Sequence, residues 1–264
     1  MMRYVTHLLN AGHVAECHLW NFTRVPEDEK WLKTLYANSR DKRIRLMHVQ
    51  NKALWTEYYK YYTRARFPNH VIIKCDDDII YVDVNAFPRF IEHRIKLKNH
   101  LLMFANIVNN GVCAFYQQAS GLLPADKIGA ALPFDTTYGK LWSDGQLAER
   151  VHDCFIRNET EWTKRSHTFP VREYPLGNRI SINFFAILSK DLDIFQLVRS
   201  DDEIELSYAI PLFMKRPNCI DLSFFVSHLS FYKQRDPDNC LDETRLLREY
   251  HQIAHKKGVA PFKA

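Results

Sequence analysis

Three consecutive carboxylates, Asp76, Asp77 and Asp78, stand between two apolar runs at 71–75 and 79–82. Carboxylates drawn towards buried chain are costly unless something positive neutralises them. A hard divalent cation does so, because it takes oxygen ligands and keeps substrate phosphates in its shell. Side chains alternate along extended chain, so Asp76 and Asp78 can reach one ion while Asp77 points elsewhere. A solvated acidic turn or a helix N-terminus is the plainer alternative; the flanking apolar runs favour the metal. Two further polar groups lie where apolar segments begin or end. Asp201, Asp202 and Glu203 open a helical stretch. Capping and the helix dipole account for one acid there, and three leave room for a catalytic carboxylate. His228 follows the apolar run 219–226. It is either a satisfied structural histidine or the imidazole of a two-carboxylate, one-histidine site, which suits Mn²⁺ (or Mg²⁺).

The chemistry open to such a set is specific. A divalent ion bridges the phosphates of a nucleotide-sugar and stabilises the departing diphosphate as a Lewis acid. A carboxylate on the opposite face takes the proton of an acceptor hydroxyl. Sugar transfer passes through an oxocarbenium-like state, so leaving-group stabilisation and one base suffice. Lys164, Arg165, His167 and Arg172 are further candidates for diphosphate or acceptor contacts, against the equally plain reading of a solvated basic loop. Trp142, Trp162 and Tyr174 are candidates to stack on a sugar ring, against the plainer reading as core.

The elements that must position these groups are legible in outline. A short helix is expected over 2–11, strands over 14–22 and 43–49, and a helix opened by Pro26, Glu27 and Asp28. An aromatic-rich amphipathic helix is expected over 53–66, then the strand at 71–75 and its carboxylates. A helix over 85–98 and a buried strand over 100–108 follow. Residues 109–140 read as a long functional loop. A helix over 142–158, capped by Ser143 or Asp144, leads to a second loop over 159–178. The remainder reads as a strand over 179–188, a helix from the 201–203 acids to Pro211, a strand over 219–226 and a final helix from 238 or 239 to 257. Strands alternating with helices imply an α/β fold with a mostly parallel central sheet and helices on both faces. Ligands then bind beyond the carboxyl ends of the strands, where 76–78 lie.

The 264 residues, 46% apolar and 13% aromatic, allow a sizeable core in one domain. The net charge of +5 suits an anionic small ligand and is too weak to imply nucleic acid. Six cysteines without a CxxC pair read as free thiols in a reducing compartment. No signal peptide is expected ahead of Arg3, and no apolar run approaches the ~20 residues of a membrane span. A soluble, cytoplasmic protein is expected.

The segment IIKCDDDIIYVD resembles the DxD strand end of metal-dependent glycosyltransferases of the GT-A fold, most closely small enzymes of microbes and large DNA viruses. The later order is similar: ANIVNNG, then RISINFFAIL, then DDE at a helix start, then VSHLSFYKQR. The resemblance covers residues 14–250. It implies a GT-A-like (Rossmann-like) sheet in one domain, with 1–108 as the nucleotide-sugar and metal half and 109–264 as the acceptor and catalytic half. It also implies a UDP-sugar donor and a glycan or glycoprotein acceptor. Asp76 and Asp78 match the DxD carboxylates, with Asp78 the direct ligand and Asp76 on ribose or a metal-bound water. His228 matches the late metal ligand. Asp201, Asp202 or Glu203 matches the acid at the helix start, and Asp202 is the chosen base. Asp76, Asp77, Lys74 and Arg235 form the donor-contacting set. The chain departs from the family at its start, where residues 2–9 barely provide the first strand and its nucleobase loop. Two other readings compete: a two-metal nuclease using the same carboxylates, and a sugar-binding module without chemistry.

Overall fold

Glu27, Asp28 and Glu29 fill the first turn of a helix that begins at Pro26, where acids complement the dipole and proline loses no hydrogen bond. Local rules of this kind account for much of the chain. The computed structural model describes residues 1–262 apart from 40, 50, 51, 53 and 135–138. It opens with α1 (Met2–Asn10), β1 (Cys17–Asn21), α2 (Pro26–Ser39) and β2 (Ile44–His48). Residues 2–9 are therefore helical, and they supply no strand ahead of β1. The helix expected over 53–66 shrinks to α3 (Glu57–Tyr61), with residue 53 outside the described residues. Tyr62 leaves helical geometry, and its hydroxyl meets His18 Nδ1 at 2.8 Å and accepts from Trp20 Nε1 at 3.0 Å. Aromatic packing on β1 overrides helix propensity there.

Next come β3 (Val71–Cys75), β4 (Ile79–Val82), α4 (Phe87–Lys96) and β5 (Leu102–Val108). The segment read as a loop over 109–140 instead starts with α5 (Gly111–Ala119), followed by α6 (Ala125–Ile128); residues 135–138 of it lie outside the described residues. Asn110 caps α5 by accepting from Cys113 N at 3.1 Å, and Val112, Cys113, Ala114 and Gln117 are buried. After α7 (Lys140–Ser143), α8 runs over Gly145–Ser166, with Asp144 as its cap. Its backbone leaves helical geometry at Asn158, where the sequence reading ended the helix, and then resumes. Burial of Glu159, Trp162, Thr163 and Ser166 at i, i+3, i+4 and i+7 sustains the second part. The second expected loop thus holds the end of α8 and β6 (Val171–Tyr174).

The chain then forms β7 (Phe184–Leu188), a 3₁₀ segment (Ser189–Leu197), α9 (Asp202–Ile204), a π turn (Glu205–Ala209) and α10 (Ile210–Met214). Helical structure continues beyond Pro211, where it was expected to stop. Pro211 has no N–H to offer the preceding turn. Asn218 Nδ2 satisfies that turn instead, donating to Leu206 O at 3.3 Å and Ser207 O at 3.2 Å. The last elements are β8 (Asn218–His228), a 3₁₀ turn (Tyr232–Arg235) and α11 (Glu243–Lys256).

The architecture is α/β, but the expectation of a mostly parallel sheet is corrected. The main sheet has the order β3-β7-β5-β8-β4, with β6 also on β8, while β1 and β2 pair separately. Among the described residues only β5/β8 and β1/β2 are parallel; β3/β7, β5/β7, β4/β8 and β6/β8 are antiparallel. The long excursion through residues 109–183 brings β7 back between β3 and β5 from the opposite end. No βαβ crossover governs its direction. Helices do cover both faces. Phe224 and Phe225 are consecutive in β8 and point to opposite sides. Phe90 of α4 stacks on Phe224 at 4.4 Å, whereas Trp162 and Phe155 of α8 meet Phe225 at 5.6 and 6.0 Å. One buried cluster extends from Tyr4 to Val259. Among the described residues no helix is long and apolar enough to cross a membrane.

Candidate metal centre

Strands β3, β5 and β8 point the same way, so Cys75, Val108 and His228 end on one side of the sheet. The carboxylate turn is pinned there at two points. Asp76 N donates to Asn183 O just ahead of β7, and Asp78 O accepts from Leu229 N just after β8, each at 2.9 Å. Three residues thereby bridge the ends of strands that are not neighbours. The result is a convergence of Asp76, Asp78 and His228, each with a ligand atom within 4.8 Å of the others. Donors bound about 2.0–2.2 Å from one ion stand roughly 3–4.4 Å apart, so the spacing fits a shared cation after small adjustment.

The three groups are prepared differently. Asp76 Oδ1 is ion-paired with Lys74, and its Oδ2 accepts from Asn183 Nδ2 at 2.9 Å. Asp78 Oδ2 stands 3.1 Å from His228 Nε2 and 3.4 Å from Arg235 Nη2. Burial opposes ionisation of Asp78, but the hydrogen bond and charge of His228, with Arg235, hold its carboxyl below the ordinary value. Among the described residues, Asp78 Oδ1 and His228 Nδ1 are buried without a hydrogen-bonding partner. Such orphaned atoms are costly unless a ligand or water serves them. Two carboxylates and an imidazole with spare coordinating capacity fit Mn²⁺ or Mg²⁺. Asp78 has the freer oxygen for direct ligation. Asp76, with both oxygens engaged, is better placed to orient. Asp77 sits on the exposed side of the turn, outside the converging set.

The second acidic cluster separates into three roles. Asp201 is the cap of α9: its Oδ1 accepts from Ile204 N at 2.9 Å. Glu203 is held by Arg179, whose Nε donates to Oε1 at 2.6 Å. Asp202 turns inward and accepts from the Tyr59 hydroxyl at 2.9 Å. Burial pushes its carboxyl above the usual range and Asp76 and Asp201 add to this, against Lys74 and the Tyr59 hydrogen bond. Lys74 also donates to Ile182 O at 2.9 Å. Burial works against its charge, but Asp76, Tyr58 and Asp202 outweigh that and hold the ammonium protonated. Lys74 thus feels the charge of both the metal-side carboxylate and the inward acid.

Arg235 is fixed by Ser230 Oγ at 2.8 Å and Glu243 at 3.0 Å, with its other nitrogen towards Asp78. Two of the other basic candidates sit elsewhere. Arg165 near the end of α8 donates to Ser120 O at 2.8 Å, and Arg172 pairs with Ile220 in β8. That register position is about 25 Å along the strand from His228. Trp162 and Tyr174 are core residues, each 1% exposed.

Several positioning residues escaped the sequence reading. Asn109, with φ of 67°, donates to Leu229 O and Gln234 Oε1 at 3.1 and 2.9 Å. Gln234 returns a bond to Asn109 Oδ1 at 3.0 Å and donates to Leu141 O at 2.5 Å. His152 Nε2 stands 2.9 Å from Leu229 O, behind the residue that pins Asp78. The signal available for Asn109 and Asn183 was a polar side chain at the edge of an apolar run.

No protein-family model, curated protein or solved structure matches this chain.

Proposed function

We propose that this protein is a metal-dependent glycosyltransferase. It moves a sugar from a nucleotide-diphosphate donor, a UDP-sugar, to a hydroxyl of a glycan or glycoprotein. One observation carries the reading: Asp76, Asp78 and His228 converge at strand ends, and a separate acid, Asp202, turns inward to the Tyr59 hydroxyl. A GT-A-like fold is part of the same proposal, supported by the DxD turn at the carboxyl end of β3 in an α/β sheet.

Bound at the triad, Mn²⁺ or Mg²⁺ supplies Lewis-acid stabilisation of the diphosphate. Asp78 and His228 would hold the ion, and Asp76 is oriented by Lys74 and Asn183. Arg235 offers a second cation to the leaving group beside Asp78. Asp202 accepts the proton of the acceptor hydroxyl as its oxygen bonds to the anomeric carbon. The glycosidic bond to phosphate breaks in the same step, and its electron pair leaves with UDP. A separate base of this kind favours an inverting outcome.

Calorimetric titration with UDP, with and without Mn²⁺, tests the reading. Manganese-dependent binding is expected, followed by hydrolysis or transfer with one member of a UDP-sugar panel. Absence of UDP binding in both conditions overturns it.

A further inference from the structure

An aromatic surface adjoins the metal centre on the side of His228. The Phe231 ring lies 4.4 Å from the His228 ring, and Trp142 of α7 meets Tyr232 edge-on at 5.2 Å. Tyr232 is 65% exposed, a large ring left in solvent on a short turn. The turn is nevertheless rigidly built. Buried Gln234 accepts from Phe231 N at 2.8 Å, exchanges bonds with Asn109 and donates to Leu141 O beside Trp142. Gly145 allows the start of α8 to press against this segment, because a Cβ there would stand 2.7 Å from Gln234 O and 2.8 Å from Leu241 N. Trp142 and Tyr232 are thus brought together by backbone contact and buried hydrogen bonds. A half-buried Trp142 fixed against an exposed Tyr232 in this way is preorganised for a ligand.

We infer that Trp142 and Tyr232 bind a pyranose ring of a glycan acceptor, in a subsite whose acceptor role rests on the glycosyltransferase reading. Aromatic rings offer an apolar face to the axial C–H groups of a pyranose. Recognition sites of this kind pair apolar faces with a few polar groups. The Lys233 ammonium, 5.5 Å from the Tyr232 ring centre, supplies a donor for sugar hydroxyls. The exposure of Tyr232 selects acceptor over donor. A donor sugar must be screened from water to avoid hydrolysis, whereas an acceptor chain extends into solvent.

The test uses the full chain with saturating UDP and Mn²⁺, and saturation-transfer NMR. The probes are methyl α- and β-pyranosides of glucose, galactose, mannose and N-acetylglucosamine, with their disaccharides. We expect transfer concentrated on the axial C–H protons of at least one pyranoside. Tyr232→Ala and Trp142→Ala should each weaken it about 10-fold, while Trp142→Phe keeps most of it. Affinity for UDP with Mn²⁺ should be unchanged in all three variants. The same panel is measured without UDP or metal. If UDP fails to bind but pyranosides still show the Trp142- and Tyr232-dependent signal, the transferase reading falls and the sugar subsite stands. If UDP binds and no pyranoside shows transfer, the subsite is overturned alone. Loss of UDP affinity in Tyr232→Ala or Trp142→Ala, with pyranoside signals intact, also overturns it by assigning the rings to the nucleotide.

Discussion

Asp78 Oδ2 stands 3.1 Å from His228 Nε2, although the two residues come from opposite halves of the chain. The backbone secures the meeting, since Asp78 O accepts from Leu229 N and Ile79 pairs with His228 in the sheet. The backbone therefore brings the two positions together whether or not either side chain is substituted.

Asp78→Asn keeps that backbone contact and removes the charge. It should weaken Mn²⁺-dependent UDP binding by at least about 100-fold, since even residues behind the ligands cost about 10–100-fold. The melting temperature of the metal-free protein should change little. Calorimetry with and without EDTA reads the affinity, and an unaltered manganese effect would remove Asp78 from the site.

Asp202→Asn should leave UDP and Mn²⁺ affinity intact and lower transfer by at least ~10², the scale of a lost general base. Asp201→Asn should keep near-normal turnover, because asparagine also caps helices. Single-turnover assays on both variants compare the two acids. Equal losses would mean that the inward orientation of Asp202 has no catalytic meaning.

Tyr59→Phe removes the 2.9 Å hydrogen bond to Asp202. That bond lowers the pKa of the carboxyl, against burial, which raises it. Its loss should raise the pKa further, and a base must be ionised to work. The acid limb of the pH profile of kcat/KM should move to higher pH. A shift to lower pH, or none, would contradict Asp202 as the titrating base.

His152 is wholly buried between the Tyr250 hydroxyl at 2.8 Å and Leu229 O at 2.9 Å. Burial pushes its pKa down to about 4 from 6.5. The unfolded chain therefore takes up a proton near pH 6.5 that the native state refuses until about pH 4. The stabilisation from this site is complete above pH 6.5 and is lost as pH falls towards 4, by ~3 kcal/mol in all. Urea unfolding of wild type and His152→Gln across pH 4–7.5 should show a shallower dependence in the variant. Parallel curves would refute the assignment.

The sequence carried more of the local structure than of the assembly. β3, β5 and β8 were legible as apolar runs, and Pro26, Asp144 and the 201–203 acids marked helix starts because capping is a short-range effect. α5 was hidden by its glycine and small residues and became a helix through burial of Val112, Cys113 and Ala114. The end of α8 was missed because its second buried face follows the irregular Asn158. The direction of β7 was illegible, since a long excursion between strands leaves either orientation open.

By itself, then, the sequence determined that a triple carboxylate would sit at the end of an apolar strand and that a histidine would end another, although the first of these is a half-buried edge strand and not the buried one expected. Hydrophobic periodicity and the cost of buried charge act over a few residues, and they suffice for that. Only the tertiary structure decided that Asp78 meets His228, that Asp201 caps while Asp202 turns inward, and that Trp142 joins Tyr232 instead of the core. Those outcomes depend on strand pairing and on buried hydrogen bonds between residues far apart in the chain, whose partners no local pattern names.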